Sequence, residues 1–155
     1  MNLFDLKDKT ALITGSTKGI GEAIARQFAN HGAKVVISSR KQDLCEQIKN
    51  DINTENPNSA ISVPCNINQK EQLENLVLET NKQLGDIDIL VCNAAVNPFF
   101  GSSLDIPDDA FDKILNANIK SNHWLCNLVL PQMIKKKDGV IIIISSVCLL
   151  YTSPS

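Results

Sequence analysis

Residues 11–28 read Ala11-Leu12-Ile13-Thr14-Gly15-Ser16-Thr17-Lys18-Gly19-Ile20-Gly21-Glu22-Ala23-Ile24-Ala25-Arg26-Gln27-Phe28. An apolar run, a glycine-rich turn and a helical pattern follow one another without a gap, which predicts a strand, a tight turn and a helix. Such a turn needs residues without a Cβ where φ swings positive and where a phosphate must approach the main chain closely. Gly15, Gly19 and Gly21 supply those positions, and Ser16, Thr17, Lys18 and Ile20 complete the loop. The helix that opens there aims its free N–H groups and the positive end of its dipole over the turn, which favours a pyrophosphate. The stretch therefore reads as a dinucleotide site. A P-loop would carry Lys and then Ser or Thr after its last glycine, whereas Lys18 precedes Gly19, which argues against a Walker site.

Outward from that turn, strand-like and helix-like segments alternate. Strands are expected near Lys9–Thr14, Lys34–Ser38, Ala60–Val63, Ile87–Cys92 and Gly139–Ser145, and helices near Gly19–Asn30, Lys41–Asn53, Gln69–Leu84 and Asp108–Lys137. Gly32, Pro57 and Pro107 each fall between elements, where breakers belong. The runs Ile87–Cys92 and Val140–Ile144 are continuous rather than alternating, as in strands covered by helices on both faces. The expected fold is α/β: a doubly wound parallel sheet, the Rossmann arrangement, ending after its fifth strand.

A length of 155 residues with 43% hydrophobic content suits one domain with a core, and is too short for a separate substrate domain. Fifteen basic against 17 acidic residues give a net charge of -2, and no basic block exceeds Lys135-Lys136-Lys137. Nucleic acid is not the expected partner. The five cysteines, at 45, 65, 92, 126 and 148, form no Cys-x-x-Cys pair, so neither a disulfide framework nor a zinc site is indicated. Reduced thiols fit the cytosol. His31 and His123 match no ligand spacing, so no metal is expected. The amino terminus lacks a basic segment followed by a long apolar run, and no stretch reaches membrane-spanning length. A cytoplasmic protein with no membrane association is the expectation.

The second expected strand ends in Ser38-Ser39-Arg40, where such a domain meets the adenosine ribose. An acid there would bond the ribose hydroxyls, whereas an arginine accommodates a 2′-phosphate. Ser39 and Arg40, with Lys18 adding a second positive charge, favour NADP(H) over NAD(H).

With these motifs in place, the chain resembles the amino-terminal part of a short-chain dehydrogenase/reductase from Lys7 to about Val147. The glycine spacing is similar to that of the family's shorter members rather than its extended branch. The family's Asn-Ala-Gly signature stands here as Asn93-Ala94-Ala95, and the following loop, Val96–Gly101, is similar to that of carbonyl and retinol reductases. The resemblance thus implies a lipophilic ketone or aldehyde as one candidate substrate. At the end of the third strand the family carries an aspartate and an aliphatic residue. Here the pair is Asn66-Ile67, and an amide oxygen can still accept the adenine amino group. In Leu115–Lys120 the pattern matches the family's active-site asparagine at Asn118, which implies a role in holding a water that links solvent to a catalytic lysine. Ile144-Ser145-Ser146-Val147 places the catalytic hydroxyl at Ser146, a donor aimed at the oxygen that becomes negative as hydride arrives. Trp124 and Phe111 are expected in the core or at a subunit contact.

The resemblance also implies a Tyr-x-x-x-Lys proton donor about a dozen residues beyond Ser146. The chain carries nine residues after that serine; Tyr151 is too close, and no lysine follows it. Residues 148–155 are what TGT CTC TTA TAC ACA TCT CCG AGC encodes, which resembles a transposon end and sequencing adapter. The expected division is an incomplete NADP(H)-binding domain over 1–147 and a non-native tail over 148–155, with a natural loop cut at an arbitrary point as the alternative. On this reading the chain alone is inactive, and its fifth strand forms an exposed, aggregation-prone edge. Three functions stay open. One is an NADP(H)-dependent oxidoreductase of carbonyl or alcohol substrates, a homodimer or homotetramer built partly through the long fourth helix. The others are a 3-oxoacyl-thioester reductase of the same family and a non-catalytic dinucleotide sensor.

Overall fold

Side chains along β1 (Thr10–Thr14) point alternately to opposite faces of a sheet, and both faces are buried. A computed structural model describes residues 4–145 and gives the order β1, α1 (Gly19–Asn30), β2 (Lys34–Ser38), α2 (Gln42–Glu55), β3 (Ala60–Ser62), α3 (Lys70–Leu84) and β4 (Ile89–Cys92). There follow α4 (Asp108–Leu115), a π-helical turn (Asn116–Lys120), α5 (Ser121–Lys136) and β5 (Val140–Ile143). All five strands are parallel, in the order β3-β2-β1-β4-β5, with Leu12 level with Val36 on one side and Leu90 on the other.

That register sorts the core into two layers. Leu12, Val36 and Leu90 pack with Leu73, Leu76 and Val77 of α3 and Leu125, Val129 and Met133 of α5. Ala11, Ile13, Val35, Ile37, Ile89 and Val91 pack on the other face with Ala25 and Ala29 of α1 and Cys45, Ile48 and Ile52 of α2. Helices on both faces of a parallel sheet are the doubly wound architecture. The chain runs outward from β1 to β3, then returns to β4 on β1's other side. The switch point therefore lies between β1 and β4, and the crevice at the strands' carboxyl ends is where such sheets bind ligands.

Several boundaries differ from the sequence expectation. The strand expected from Ile87 starts at Ile89, although the Asp88 main chain still pairs, donating to Thr10 O and accepting Val140 N, each at 2.9 Å, while its carboxylate accepts Thr10 N at 2.8 Å and Lys136 Nζ at 2.5 Å. The expected burial of both strand runs holds for β4 and not for β5, where Val140 is 50% and Ile143 56% exposed. As the outermost strand among the described residues, β5 pairs there with β4 alone. The long helix expected over Asp108–Lys137 is present as one rod, interrupted by the π turn at Asn116–Lys120. Trp124 packs against the core with Lys120 Nζ 5.1 Å from its ring centre, while Phe111 is half exposed on α4. At the opposite edge, the Asn53 side chain pairs with both Ala60 N and Ala60 O at 2.8 and 2.9 Å, closing the free side of β3. No helix is long and apolar enough to cross a membrane among the described residues.

Candidate functional site

The three glycines of the β1–α1 turn are needed for different reasons. Gly15 (φ +66°) and Gly19 (φ +58°) occupy the left-handed region, which a side chain makes costly. Gly21 is helical, but a Cβ there would collide with Gly15 O and Asn93 Nδ2. A Cβ on Gly19 would project into open space, so the main chain at that point is bare toward the crevice. Lys18 occupies the N-cap position with no side-chain cap bond. The first N–H groups of α1 are therefore available to an anion.

Ser16 is completely buried, donating to Ile13 O at 2.8 Å and accepting Ser38 N at 2.8 Å. It braces the turn against the end of β2 instead of lining the crevice, and Gly21 is likewise inside the turn. Thr14 and Asn93 brace the other side. Thr14 Oγ1 accepts Asn93 N and Ala94 N, each at 3.0 Å, while Asn93 Nδ2 donates to Thr14 O and Gly15 O at 2.9 and 3.2 Å.

Beyond these braces opens a cleft of about 620 Å³. Twelve of the residues expected at a cofactor line it: Gly15, Thr17, Lys18, Gly19, Ile20, Ser39, Arg40, Asn66, Ile67, Asn93, Ala94 and Ala95. The topology that brings them together is simple, since each set follows the carboxyl end of β1, β2, β3 or β4. Lys18, Arg40 and Lys41 give the lining three cations, and no carboxylate is among its described residues. Ser39 is held from below: its hydroxyl lies 3.3 Å from Cys45 Sγ and accepts Lys41 N at 3.4 Å. Cys65, at the floor, is an uncharged thiol, because burial pushes it up to about 12.

Sequence reasoning missed Ser38, Lys41, Leu44, Cys65, Asn68 and Val96 in this lining. Lys41 was legible from its place beside Arg40. Leu44 was legible from the first turn of a helix following β2. Asn68 depends on how the loop after β3 folds back, which no pattern announces.

Asn118 lies apart from the cleft lining but touches its wall. Its Oδ1 accepts Val96 N at 2.8 Å and its Nδ2 donates to Val96 O at 2.9 Å. It sits within the π turn, where i→i+5 bonding disturbs the normal ladder. Ser121 Oγ donates to Ala117 O at 2.5 Å and Asn122 Nδ2 donates to Asn118 O at 2.9 Å, satisfying carbonyls of that turn. Ser146 and the tail from 148 lie outside the described residues.

Comparison with known proteins places these features in context. The family described as short chain dehydrogenase matches residues 9–155. The chain is 43% identical over 150 residues to dehydrogenase/reductase SDR family member 4 of Bos taurus, covering 97% of this chain and 53% of that protein. Against the same-named protein of Homo sapiens it is 44% identical over 149 residues, covering 96% and 53%. The chain thus spans about half the length of the curated relatives it matches. Among solved structures, a short-chain type dehydrogenase/reductase from Mycobacterium marinum superposes with a TM-score of 0.91 at 29% identity, over 99% of this chain and 62% of that one. A 7 alpha-hydroxysteroid dehydrogenase complexed with NADH and 7-oxo glycochenodeoxycholic acid gives a TM-score of 0.90 at 33% identity, over 97% and 58%.

Proposed function

This chain belongs to the short-chain dehydrogenase family, and we propose that residues 1–147 form the NADP(H)-binding part of an oxidoreductase acting on a carbonyl or alcohol substrate. The observation that carries the reading is the meeting, in one cleft, of the uncapped α1 N-terminus with Lys18, Arg40 and Lys41. Main-chain N–H groups of the Gly15–Gly21 turn hold the pyrophosphate. Arg40, helped by Lys18 and Lys41, holds a 2′-phosphate where an acid would instead select the free ribose hydroxyl. Thr17, Ile20, Ser39, Asn66, Ile67 and Asn93–Ala95 complete the cofactor contacts, with Ser16 and Gly21 shaping the turn.

Hydride chemistry is what a bound nicotinamide supplies. Ser146 donates a hydrogen bond to the substrate oxygen, and Asn118, bracketing Val96, holds the wall of the site and organises a water toward a lysine outside this chain. A lipophilic ketone or aldehyde is the substrate class that the loop after β4 suggests: Phe100 is fully exposed and Leu104 94% exposed on that loop. The assembly we propose is a homodimer or homotetramer. The compartment is the cytoplasm, in keeping with four unpaired thiols at Cys45, Cys65, Cys92 and Cys126.

Titration of the purified chain with NADPH and with NADH, followed by the cofactor's fluorescence, tests the reading. NADPH should bind at least tenfold more tightly, and Arg40→Asp should remove that advantage, since a charge-assisted bond contributes about 1.5–3 kcal/mol. Equal binding of the two cofactors would reject the NADP(H) assignment while leaving a dinucleotide site. Binding of neither would reject the site.

A further inference from the structure

The anion-binding groups of the cleft come from two different strands. The uncapped start of α1 and the glycine turn follow β1, whereas Arg40 and Lys41 follow β2. Arg40 is exposed, and among the described residues it forms no ion pair. No carboxylate steers its guanidinium, so its place is set by the main chain that delivers it from the end of β2.

That end is fastened to the glycine turn by one residue. Ser16 N donates to Ser38 O at 3.1 Å, and Ser16 Oγ accepts Ser38 N at 2.8 Å while donating to Ile13 O at 2.8 Å. Ser16 is fully buried and Ser38 nearly so, which keeps water from replacing these bonds. The last paired residues of β1 and β2 are Thr14 and Ser38. The bonds of Ser16 therefore carry the pairing one step beyond the sheet, into the turn itself. On its other side the segment is tied to the end of β3, where Ser39 O accepts Cys65 N at 2.9 Å.

Ser16 stands directly after Gly15, and Ser38 two residues before Arg40, so the link runs between the two anion sites. In a 2′-phosphorylated nicotinamide dinucleotide the pyrophosphate and the 2′-phosphate hang from one ribose. Their separation is bounded by that sugar, and the two sites must be held at a matching span.

We infer that Ser16 is a positioning residue for the 2′-phosphate: by holding the end of β2 against the glycine turn it sets the span from the pyrophosphate site to Arg40. The preference for a 2′-phosphorylated cofactor then depends on a side chain that does not line the cleft. This rests on the NADP(H) reading of the site. Loss of the hydroxyl orphans Ser38 N and frees the end of β2 to shift. The turn moves less, because Asn93 Nδ2 still holds Thr14 O and Gly15 O.

Binding of NADPH and of NADH to the 155-residue chain, followed by cofactor fluorescence, tests this in the wild type, Ser16→Ala and Ser16→Cys. Ser16→Ala should weaken NADPH about tenfold and NADH by less than about threefold, since it misplaces a charge-assisted contact that only NADPH makes. Ser16→Cys, whose thiol is a weak donor and acceptor, should fall between Ser16→Ala and the wild type. In an Arg40→Ala background, Ser16→Ala should no longer change the ratio of the two affinities. Circular dichroism checks folding, and Ser16→Cys, close in volume to serine, carries the test if Ser16→Ala does not fold. An equal loss for both cofactors, or an unchanged ratio, in the folded variant means that Ser16 merely supports the turn. Either result overturns the inference, while a wild type that prefers NADPH keeps the NADP(H) reading. A wild type that binds the two equally, or binds neither, overturns both.

Discussion

Thr14 and Asn93 hold each other across the switch point of the sheet. Although 79 residues apart, they are joined by two hydrogen bonds that Asn93 donates: its N to Thr14 Oγ1 at 3.0 Å and its Nδ2 to Thr14 O at 2.9 Å. The same hydroxyl accepts Ala94 N at 3.0 Å and donates to Val91 O at 3.4 Å, so every capacity of the hydroxyl of this buried residue is used. The pair thereby fixes the distance between the glycine turn after β1 and the loop after β4, the two walls between which the cleft opens.

Thr14→Val keeps the shape and removes the hydroxyl, leaving Asn93 N and Ala94 N without their acceptor. An unsatisfied buried donor costs roughly 1–3 kcal/mol, so urea denaturation should show a loss of at least that size. Dinucleotide affinity should fall with it, because both walls lose their tie. A variant as stable as the wild type would mean that the two walls are held by packing alone.

Gly21 and Gly19 should respond differently to the same substitution. Gly21→Ala drives a methyl into Gly15 O, a main-chain atom that cannot swing aside, so the turn must open and cofactor binding should fall at least tenfold. Gly19→Ala meets nothing within 4 Å and is limited by its φ of +58°, a conformational cost of about 1–2 kcal/mol. Gly19→Asn should be milder still, since asparagine tolerates that region. Comparing urea midpoints and NADPH affinities across the three variants separates steric closure from backbone strain.

The fold was legible wherever one local rule decided the outcome. Strand, glycine turn and helix at Ala11–Phe28 follow from periodicity and from Gly15 and Gly19, and β2 and α1 appear at the expected bounds. What escaped depends on contacts between distant parts. Nothing in Leu115–Lys120 announces a π turn, because the turn accompanies the grip of Asn118 on Val96, 22 residues earlier. The Asp88 main chain pairs as a strand residue would, with Thr10 and Val140, but the tie its carboxylate makes between Thr10 N and Lys136 Nζ joins distant segments and no local pattern encodes it. Ser16 looks like a phosphate ligand by position, yet its side chain is occupied by Ile13 O and Ser38 N. Twelve expected cofactor residues line one cleft because a parallel sheet gathers all its carboxyl-end loops on one side.

If Asn118 fixes the loop after β4, its loss should be local. Asn118→Ala removes both partners of Val96 and should speed hydrogen exchange at the Val96 amide by at least tenfold, with little change at Leu125 or Val129 on the same rod, which are fully buried in the core. Unchanged protection at Val96 would show that the loop is held by its other contacts.

Buried thiols give the protein an alkaline weakness whose sign is fixed. Burial pushes Cys65 and Cys92 up to about 12 from 9.0, with the Cys126 contact adding to the effect at Cys92. Between those values the unfolded thiols have lost their protons and the folded ones have kept them, so the folded state binds more protons and stability falls as pH rises. Below pH 9 both states are protonated, and these groups contribute no slope. Lys9, held above 10.5 chiefly by its hydrogen bond to Asp138, gives a slope of the same sign as its favourable charge is lost at high pH. The discriminating quantity is therefore the difference between wild type and Cys65→Ala. Unfolding free energies from urea denaturation, measured from about pH 8 to 11, should run parallel below pH 9 and, well above it, show the variant's alkaline slope shallower by up to about 1.4 kcal/mol per pH unit. Parallel slopes would mean that the Cys65 thiol ionises as readily in the fold as in the open chain.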